Sequence, residues 1–153
     1  MNKTIVLGVG NPILRDDGVG IRVVEKLKSQ LRDEQVTMDV AYTGGMNLLD
    51  LVRGFDKVIL VDAIIMESAR TGEVKRLLLP EAPAVHSSNP HDISFSEALL
   101  LARQLGEHRL PKEVIVIGIV VKETRQFGEQ LSNEVSSAIP RAISLILTEL
   151  SNT

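Results

Sequence analysis

Cysteine is absent from this chain of 153 residues. Its absence excludes disulfide bonds, thiol nucleophiles and every cysteine-based zinc motif. An excess of positive charge is also absent, because 17 Lys and Arg residues face 20 Asp and Glu residues, for a net charge of -3. No basic stripe is visible, so we expect no nucleic-acid partner.

Long hydrophobic runs are missing too, since no window approaches the roughly 18 consecutive apolar residues of a membrane-spanning helix. The apolar run in the N-terminal stretch MNKTIVLGVGN is too short for a signal peptide with a cleavage site. We therefore expect a soluble, cytoplasmic protein with no membrane partner. We also expect it to be a monomer. A composition of 44% hydrophobic and 24% charged residues is ordinary for a globular protein. The length predicts a single domain over residues 1–153.

Apolar runs alternate with helical patterns along the chain. The runs predict strands at 4–10, 36–42, 57–63, 72–79 and 113–121, and the helical patterns cover 19–31, 47–53, 94–105 and 132–150. This alternation predicts an α/β fold: a three-layer sandwich with a twisted, mostly parallel five-stranded sheet and helices on both faces. Charges in the strand at 72–79 indicate an edge position. Pro140 is expected to kink or split the last helix.

Asp62 ends the buried run of the third strand, VILVDAI at 58–64. Ligands of open α/β sheets bind outside the carboxyl ends of the strands, at the topological switch point, and Asp62 is expected at such an end. Its alternative interpretation is a turn cap, since strand-end aspartates commonly cap the next turn.

The loop after the first strand reads GVGNPILRDDGVG, residues 8–20. Gly8 and Gly10 suggest a dinucleotide fingerprint, but Ile13 stands where the third glycine would fall. Asp16 and Asp17 would also repel a phosphate at the helix N-terminus, so nucleotide binding is disfavoured.

The two aspartates of this loop have different expected roles. Asp16 is placed as the N-cap of the following helix, with its side chain reaching the amide of Val19. One cap needs one aspartate, which leaves Asp17 as a functional candidate. Gly18 and Gly20 in the first turn would each cost the helix roughly 1 kcal/mol, a cost that close approach to the backbone would explain.

Histidine offers a third candidate ligand. His91 lies in the polar loop HSSNPHDIS just before a helix, His86 in the same loop is its rival, and His108 at a helix end is expected to be exposed. Two carboxylates and one imidazole at one edge would suit a divalent transition ion and leave a coordination position open. HExxH and G-x-S-x-G motifs are missing, which excludes a zincin and argues against a serine hydrolase.

Four stretches resemble the nickel-iron hydrogenase maturation endopeptidases. They are the loop at 8–20, VDAI at 61–64, HDISFSEALLLARQLG at 91–106 and FGEQLSNEV at 127–135, in the order typical of that family. The resemblance implies an aspartic-type endopeptidase that removes a C-terminal extension from a hydrogenase large-subunit precursor. It implies that Asp17, Asp62 and His91 are the catalytic and metal-binding residues.

The resemblance also implies how nickel is used. The metal would arrive with the precursor after nickel insertion and serve in substrate recognition, so the free enzyme is not expected to bind it tightly. One departure affects the choice of partner. The family often has an acidic D-G-G-T-x-G stretch after the second strand, whereas this chain reads VAYTGG at 40–45.

A receiver-like phosphoacceptor domain is the alternative interpretation. Such domains place acidic residues after the first strand, an aspartate at the end of the third and a lysine after the fifth. Asp16, Asp17, Asp62 and Lys122 imitate that set, with Asp62 as the phosphorylation site. However, the residues between the strand and the acidic pair, and the lack of a role for His91, argue against it.

Overall fold

Strands and helices alternate along the chain in the order that the sequence predicts. The computed structural model describes residues 3–42, 46–79, 94–122 and 126–152. The strands of these ranges are β1 (Thr4–Val9), β2 (Val36–Ala41), β3 (Lys57–Ile64), β4 (Val74–Leu78) and β5 (Glu113–Val120). The α-helices are α1 (Val19–Gln30), α2 (Met46–Val52), α3 (Phe95–Gln104) and α4 (Asn133–Ser151), and a short 3-10 helix, Arg15–Gly18, precedes α1.

The five strands form one sheet with the order β2-β1-β3-β5-β4. Strands β1, β2, β3 and β5 are parallel, and β4 is antiparallel to β5 at one edge. Strand β3 lies in the centre and is buried along almost all of its length, because both faces and both edges are covered. The mostly parallel, five-stranded sheet and the edge position of β4 are therefore confirmed.

Helices cover both faces of the sheet, which confirms the three-layer prediction. Val6 and Ile59 point into a core shared with helices α1 and α4. Their chain neighbours Leu7 and Leu60 point into the opposite core, which α2 and α3 cover. This division follows from the alternation of side chains along a strand, since consecutive residues face opposite sides.

Helix α4 passes through Pro140 as one continuous helix, so the predicted split does not occur. A proline removes the hydrogen bond to the carbonyl one turn earlier, here that of Ser136. Both residues lie on the exposed side of the helix, where water can satisfy that carbonyl. No helix in the described ranges has the length and apolar character needed to cross a bilayer.

A buried cluster of charges fixes the end of α4 to the sheet. Lys57 at the start of β3 donates to the backbone oxygen of Glu149 at 3.1 Å and lies 3.5 Å from its carboxylate. Arg76 of β4 donates to the same carboxylate. The hydrogen bond and charge of Arg76, assisted by the charge of Lys57, lower the pKa of Glu149 although burial opposes the shift. The cluster lies at the amino end of β3, far along the strand from Asp62.

Candidate active site at the carboxyl edge of the sheet

Asp62 lies fully buried near the carboxyl end of the central strand β3. It pairs in register with Gly118 of β5. Val58 and Leu60 belong to the core under α2 and α3, so the alternation of the strand places Asp62 on that face. Helix α3 lies on the same face, and His91 precedes it in the chain by four residues. The predicted strand-end position of Asp62 is therefore confirmed.

The carboxyl edge at β1 and β3 is the switch point of the sheet. Strand β1 lies between β2 and β3, and the chain after β1 forms α1 on one face, whereas the chain after β2 forms α2 on the other. Ligands of doubly wound sheets bind at such a point, beside the loops that follow β1 and β3. The 3-10 helix that holds Asp17 contacts β3, the strand of Asp62, so the fold brings the elements of the two candidates together.

Asp17 has a defined hydrogen bond within its own loop. Its Oδ2 atom accepts the backbone N–H of Asn11 at 2.9 Å. A carboxylate offers about four lone-pair positions on two oxygens, so this bond is compatible with metal ligation and would orient the group for it. Of the two neighbouring aspartates, Asp17 therefore stays the candidate ligand.

The prediction that Asp16 caps helix α1 is wrong. The chain forms a 3-10 turn at Arg15–Gly18, so α1 begins only at Val19 and its N-cap is Gly18, without a side-chain cap. Asp16 is buried, and its Oδ1 atom accepts the amide of Ser132 at 2.7 Å. Ser132 is the N-cap residue of α4. The carboxylate therefore joins two distant elements, which local sequence patterns do not reveal.

The glycines of the first loop serve close packing of the backbone. A Cβ on Gly8 would lie 2.5 Å from the carbonyl oxygen of Gly20, and one on Gly20 would lie 2.1 Å from that of Val61. Gly10 has φ +153° and approaches the backbone oxygen of Asp17 so closely that an added Cβ would lie 2.2 Å away. These contacts account for the glycine pattern without a nucleotide.

The segment 126–132 contacts the first loop, a contact that local sequence patterns do not predict. The amide of Gly128 donates to the oxygen of Ile13, and the amide of Arg15 donates to the oxygen of Gly128, both at 2.8 Å. The Phe-Gly and Leu-Ser pairs of this segment resemble the family pattern and were the available signal in the sequence. They do not predict which loop the segment contacts. We call residues 13–16 and 126–132 together the clamp.

Arg15 is central to the clamp and has the backbone φ +50°, an uncommon value for a residue other than glycine. Its guanidinium donates to Oε1 of Gln126 at 3.0 Å and to the oxygen of Gln130 at 3.3 Å. Arg22 of α1 adds a bond of 3.1 Å to the oxygen of Glu129. The strained conformation is thus held by several contacts, as expected near a functional site.

The predicted metal site is only partly within the described structure. His91, its rival His86, and Thr43 to Gly45 lie outside the described residues. Among the residues that are described, no group of three or more His, Cys, Asp or Glu side chains could hold a metal ion. The set of Asp17, Asp62 and His91 therefore stays a prediction.

The fold gives no support to the receiver-like alternative. Doubly wound proteins of the receiver type have the strand order 2-1-3-4-5. In this protein β5 is inserted between β3 and an antiparallel β4.

The fold defines an α/β protein with a doubly wound, mostly parallel sheet, whose carboxyl edge is the candidate ligand site. A family model described as hydrogenase maturation protease matches residues 21–149. The chain is 30% identical over 151 residues to the hydrogenase 2 maturation protease of Escherichia coli (strain K12), which covers 97% of this chain and 90% of that protein. It is 32% identical over 152 residues to the hydrogenase expression/formation protein HupD of Thiocapsa roseopersicina, which covers 97% and 67%, respectively.

The solved structures agree with the sequence comparisons. The hydrogenase maturating endopeptidase HybD from E. coli matches with a TM-score of 0.82 at 30% identity, covering 98% of this chain and 93% of that one. The chain therefore belongs to the hydrogenase maturation protease family, and it is a peptidase.

Proposed function

We propose that this enzyme removes the C-terminal extension of a nickel-iron hydrogenase large-subunit precursor after nickel has been inserted. Nickel carried by the precursor would be used to recognise the substrate. The observation that carries this proposal is the contact between the 3-10 helix of Asp17 and strand β3 of Asp62 at the switch point. Membership of the protease family supplies the reaction class.

The donor set fits a nickel ion that belongs to the substrate. Asp17 and Asp62 offer carboxylate oxygens, and His91 would add an imidazole nitrogen, a mixture that suits divalent transition metals. The chain has no cysteine, so no thiolate strengthens the site. Three such ligands would hold the metal only when the precursor supplies others, and the free enzyme would carry little of it.

The residues of the enzyme would then act by positioning. Asp62 is fixed by the central strand, and the Asn11 amide orients the carboxylate of Asp17. Together they would hold the nickel-bearing end of the precursor, so that the extension lies across the carboxyl edge. Nickel in that position can act as a Lewis acid on a nearby carbonyl group or water. Hydrolysis adds water to the peptide carbonyl, breaks the C–N bond and leaves the proton on the new amine.

A cleavage assay tests the proposal. The protein is incubated with large-subunit precursors prepared with and without nickel, and the products are analysed by intact mass. We expect a truncated large subunit only from the nickel-containing precursor. Efficient cleavage of the nickel-free precursor would contradict the role of nickel, and cleavage of neither precursor would contradict the assigned function.

The metal ligands are tested separately. Cadmium or nickel soaked into crystals should lie within bonding distance of Asp17, Asp62 and His91, and His91→Ala should abolish that binding while His86→Ala preserves it. Metal bound at His86 instead would overturn the ligand set. Elemental analysis of the gently purified enzyme should find little metal, and a stoichiometric metal that survives dialysis against a chelator would indicate a conventional metalloprotease.

A further inference from the structure

Exposed apolar side chains are placed around the carboxyl edge of the sheet. Ile13 follows β1, Tyr42 follows β2, Ile65 follows β3 and Phe127 lies beyond β5. These four strands are parallel, so the segments that leave them all begin at the same edge. Single exposed apolar residues are common on proteins, but several around one ligand edge indicate an interaction site.

Phe127 and Ile13 are the best defined of the four. Their side chains are 78% and 50% exposed. The bond from the Gly128 amide to the oxygen of Ile13 places the two segments side by side, and Leu14 forms a bridge with Gly128. The two apolar residues therefore stand on neighbouring backbones of the clamp.

Hydrogen bonds within the clamp hold the segment of Phe127 against the first loop, although both side chains face solvent. Arg15 fixes the residues on either side of Phe127 through its bonds to Gln126 and Gln130, and Arg22 fixes the oxygen of Glu129. An aromatic side chain on an ordered backbone loses little further freedom when it is covered by a partner. Exposed aromatic residues of this kind commonly contribute a large share of the binding energy at interfaces.

We infer that Phe127 and Ile13 form a docking surface for an apolar segment of the hydrogenase large-subunit precursor. The inference rests on the proposed function. Ile13 belongs to the same loop as Asp17, so a polypeptide that reaches Asp17 passes beside the clamp. The surface is thus continuous with the proposed active site, and its aromatic and aliphatic side chains favour apolar groups of the precursor over charged ones.

Substitution of Phe127 tests the docking surface in two measurements. The first is steady-state processing of the nickel-containing precursor. The second is the dissociation constant of that precursor in an Asp62→Asn background, where processing should stop. We expect Phe127→Ala to raise KM and the dissociation constant roughly tenfold. Its kcat should change far less, and Phe127→Leu should recover part of the affinity.

Leu105→Ala provides the matched control. Leu105 is 79% exposed, but it follows α3 and so lies near the start of β5, at the opposite edge of the sheet. This variant should bind and process the precursor as the unmodified enzyme does. An equal loss in both variants would mean that the effect comes from general surface hydrophobicity, and the docking surface would be wrong.

The remaining outcomes separate the docking surface from the proposed function. Processing with an unchanged KM and dissociation constant in Phe127→Ala would overturn the docking surface and leave the function intact. Binding that depends on Phe127 without any cleavage would support the surface and contradict the function, and absence of both would contradict both. A dimer that Phe127→Ala dissociates, with precursor binding unaffected, would assign the surface to a second copy of the chain and overturn the inference.

Discussion

The amide of Ser132 donates a hydrogen bond of 2.7 Å to the carboxylate of Asp16. The bond links the N-terminus of α4 to the loop after β1, two elements that are far apart in the chain. Asp16 and Asp17 are neighbours in the chain, but their roles differ. Asp16 joins the loop to the start of α4, whereas Asp17 is a candidate ligand. Substitutions should separate these roles.

Asp16→Ala should lower the stability of the protein. The variant leaves the part-buried amide of Ser132 without its acceptor, which costs about 1–3 kcal/mol in the free energy of unfolding. Asp16→Asn keeps an oxygen at the same position and should cost less. Urea unfolding followed by circular dichroism measures both. An Asp16→Ala protein that unfolds like the unmodified protein would show that this hydrogen bond contributes nothing to stability.

Gly10→Ala should reduce both stability and activity. The added methyl group would meet the backbone oxygen of Asp17 at 2.2 Å, and the φ of +153° disfavours any side chain. Crowding and backbone strain together should cost roughly 2–4 kcal/mol. Gly106→Ala is the control, because Gly106 also has positive φ but has open space around its Cα. Thermal unfolding should shift more for Gly10→Ala, and lost activity with unchanged unfolding would assign Gly10 to substrate contact.

Asp62→Asn should fold normally and fail to process the precursor. The substitution keeps the size of the side chain and its ability to cap a turn, but it replaces a carboxylate with a neutral amide, which is a weaker ligand for a divalent metal ion. Asp56→Asn at the opposite end of β3 is the matched control. Its carboxylate accepts the amide of Lys3 at 2.8 Å, which an amide oxygen can also do. We expect full processing in the control. Full processing in Asp62→Asn would mean that Asp62 serves only to cap a turn.

Glu149 should make stability depend on acid pH. Its folded-state pKa lies below the ordinary value of 4.5, chiefly because Arg76 donates to it. The stabilisation is therefore complete above pH 4.5 and is lost as the pH falls through the lower folded pKa. Glu149→Gln should remove this part of the pH dependence in urea unfolding at pH 3 to 6. It should also destabilise the protein at neutral pH, because Lys57 stays buried without a carboxylate.

Glu73→Gln is the control for that experiment. Glu73 forms an ion pair with Lys75 at 3.1 Å, which also lowers its pKa, but both side chains are well exposed. Solvent screens such a pair, so its loss should change stability little at any pH. Equal acid dependence in Glu149→Gln and the unmodified protein would show that the buried cluster does not control acid unfolding.

The architecture could be predicted because the positions that become buried follow local patterns of apolar residues in the sequence. The apolar run of β3, the charges of β4 and the cap at Ser94 each depend on residues close together in the chain. At the cap, Oγ of Ser94 accepts the amide of Glu97, only three residues along the chain, at 3.2 Å. The position of Asp62 followed in the same way, from the end of an apolar run in a parallel sheet.

The contacts that shape the site were not predictable from local patterns. Asp16 resembles a helix cap in sequence, but its partner Ser132 is distant in the chain. Contacts with the segment 126–132 hold Arg15 at positive φ. Arginine does not favour this conformation, so its presence in the sequence does not predict it. Pro140 is tolerated because its lost hydrogen bond faces solvent, which depends on the orientation of α4. The part played by His91 stays a prediction, since it lies outside the described residues.

The close contact of α1 with β3 has a mechanical consequence. Gly20 brings the helix backbone against the carbonyl of Val61, the residue before Asp62, and the 3-10 helix with Asp17 runs directly into the same helix. A displacement of one aspartate relative to the other would force two backbones to separate or collide. The spacing of the two elements that carry the carboxylates is therefore set during folding. Under the proposed function, a precursor would have to fit a site whose width is fixed before it arrives.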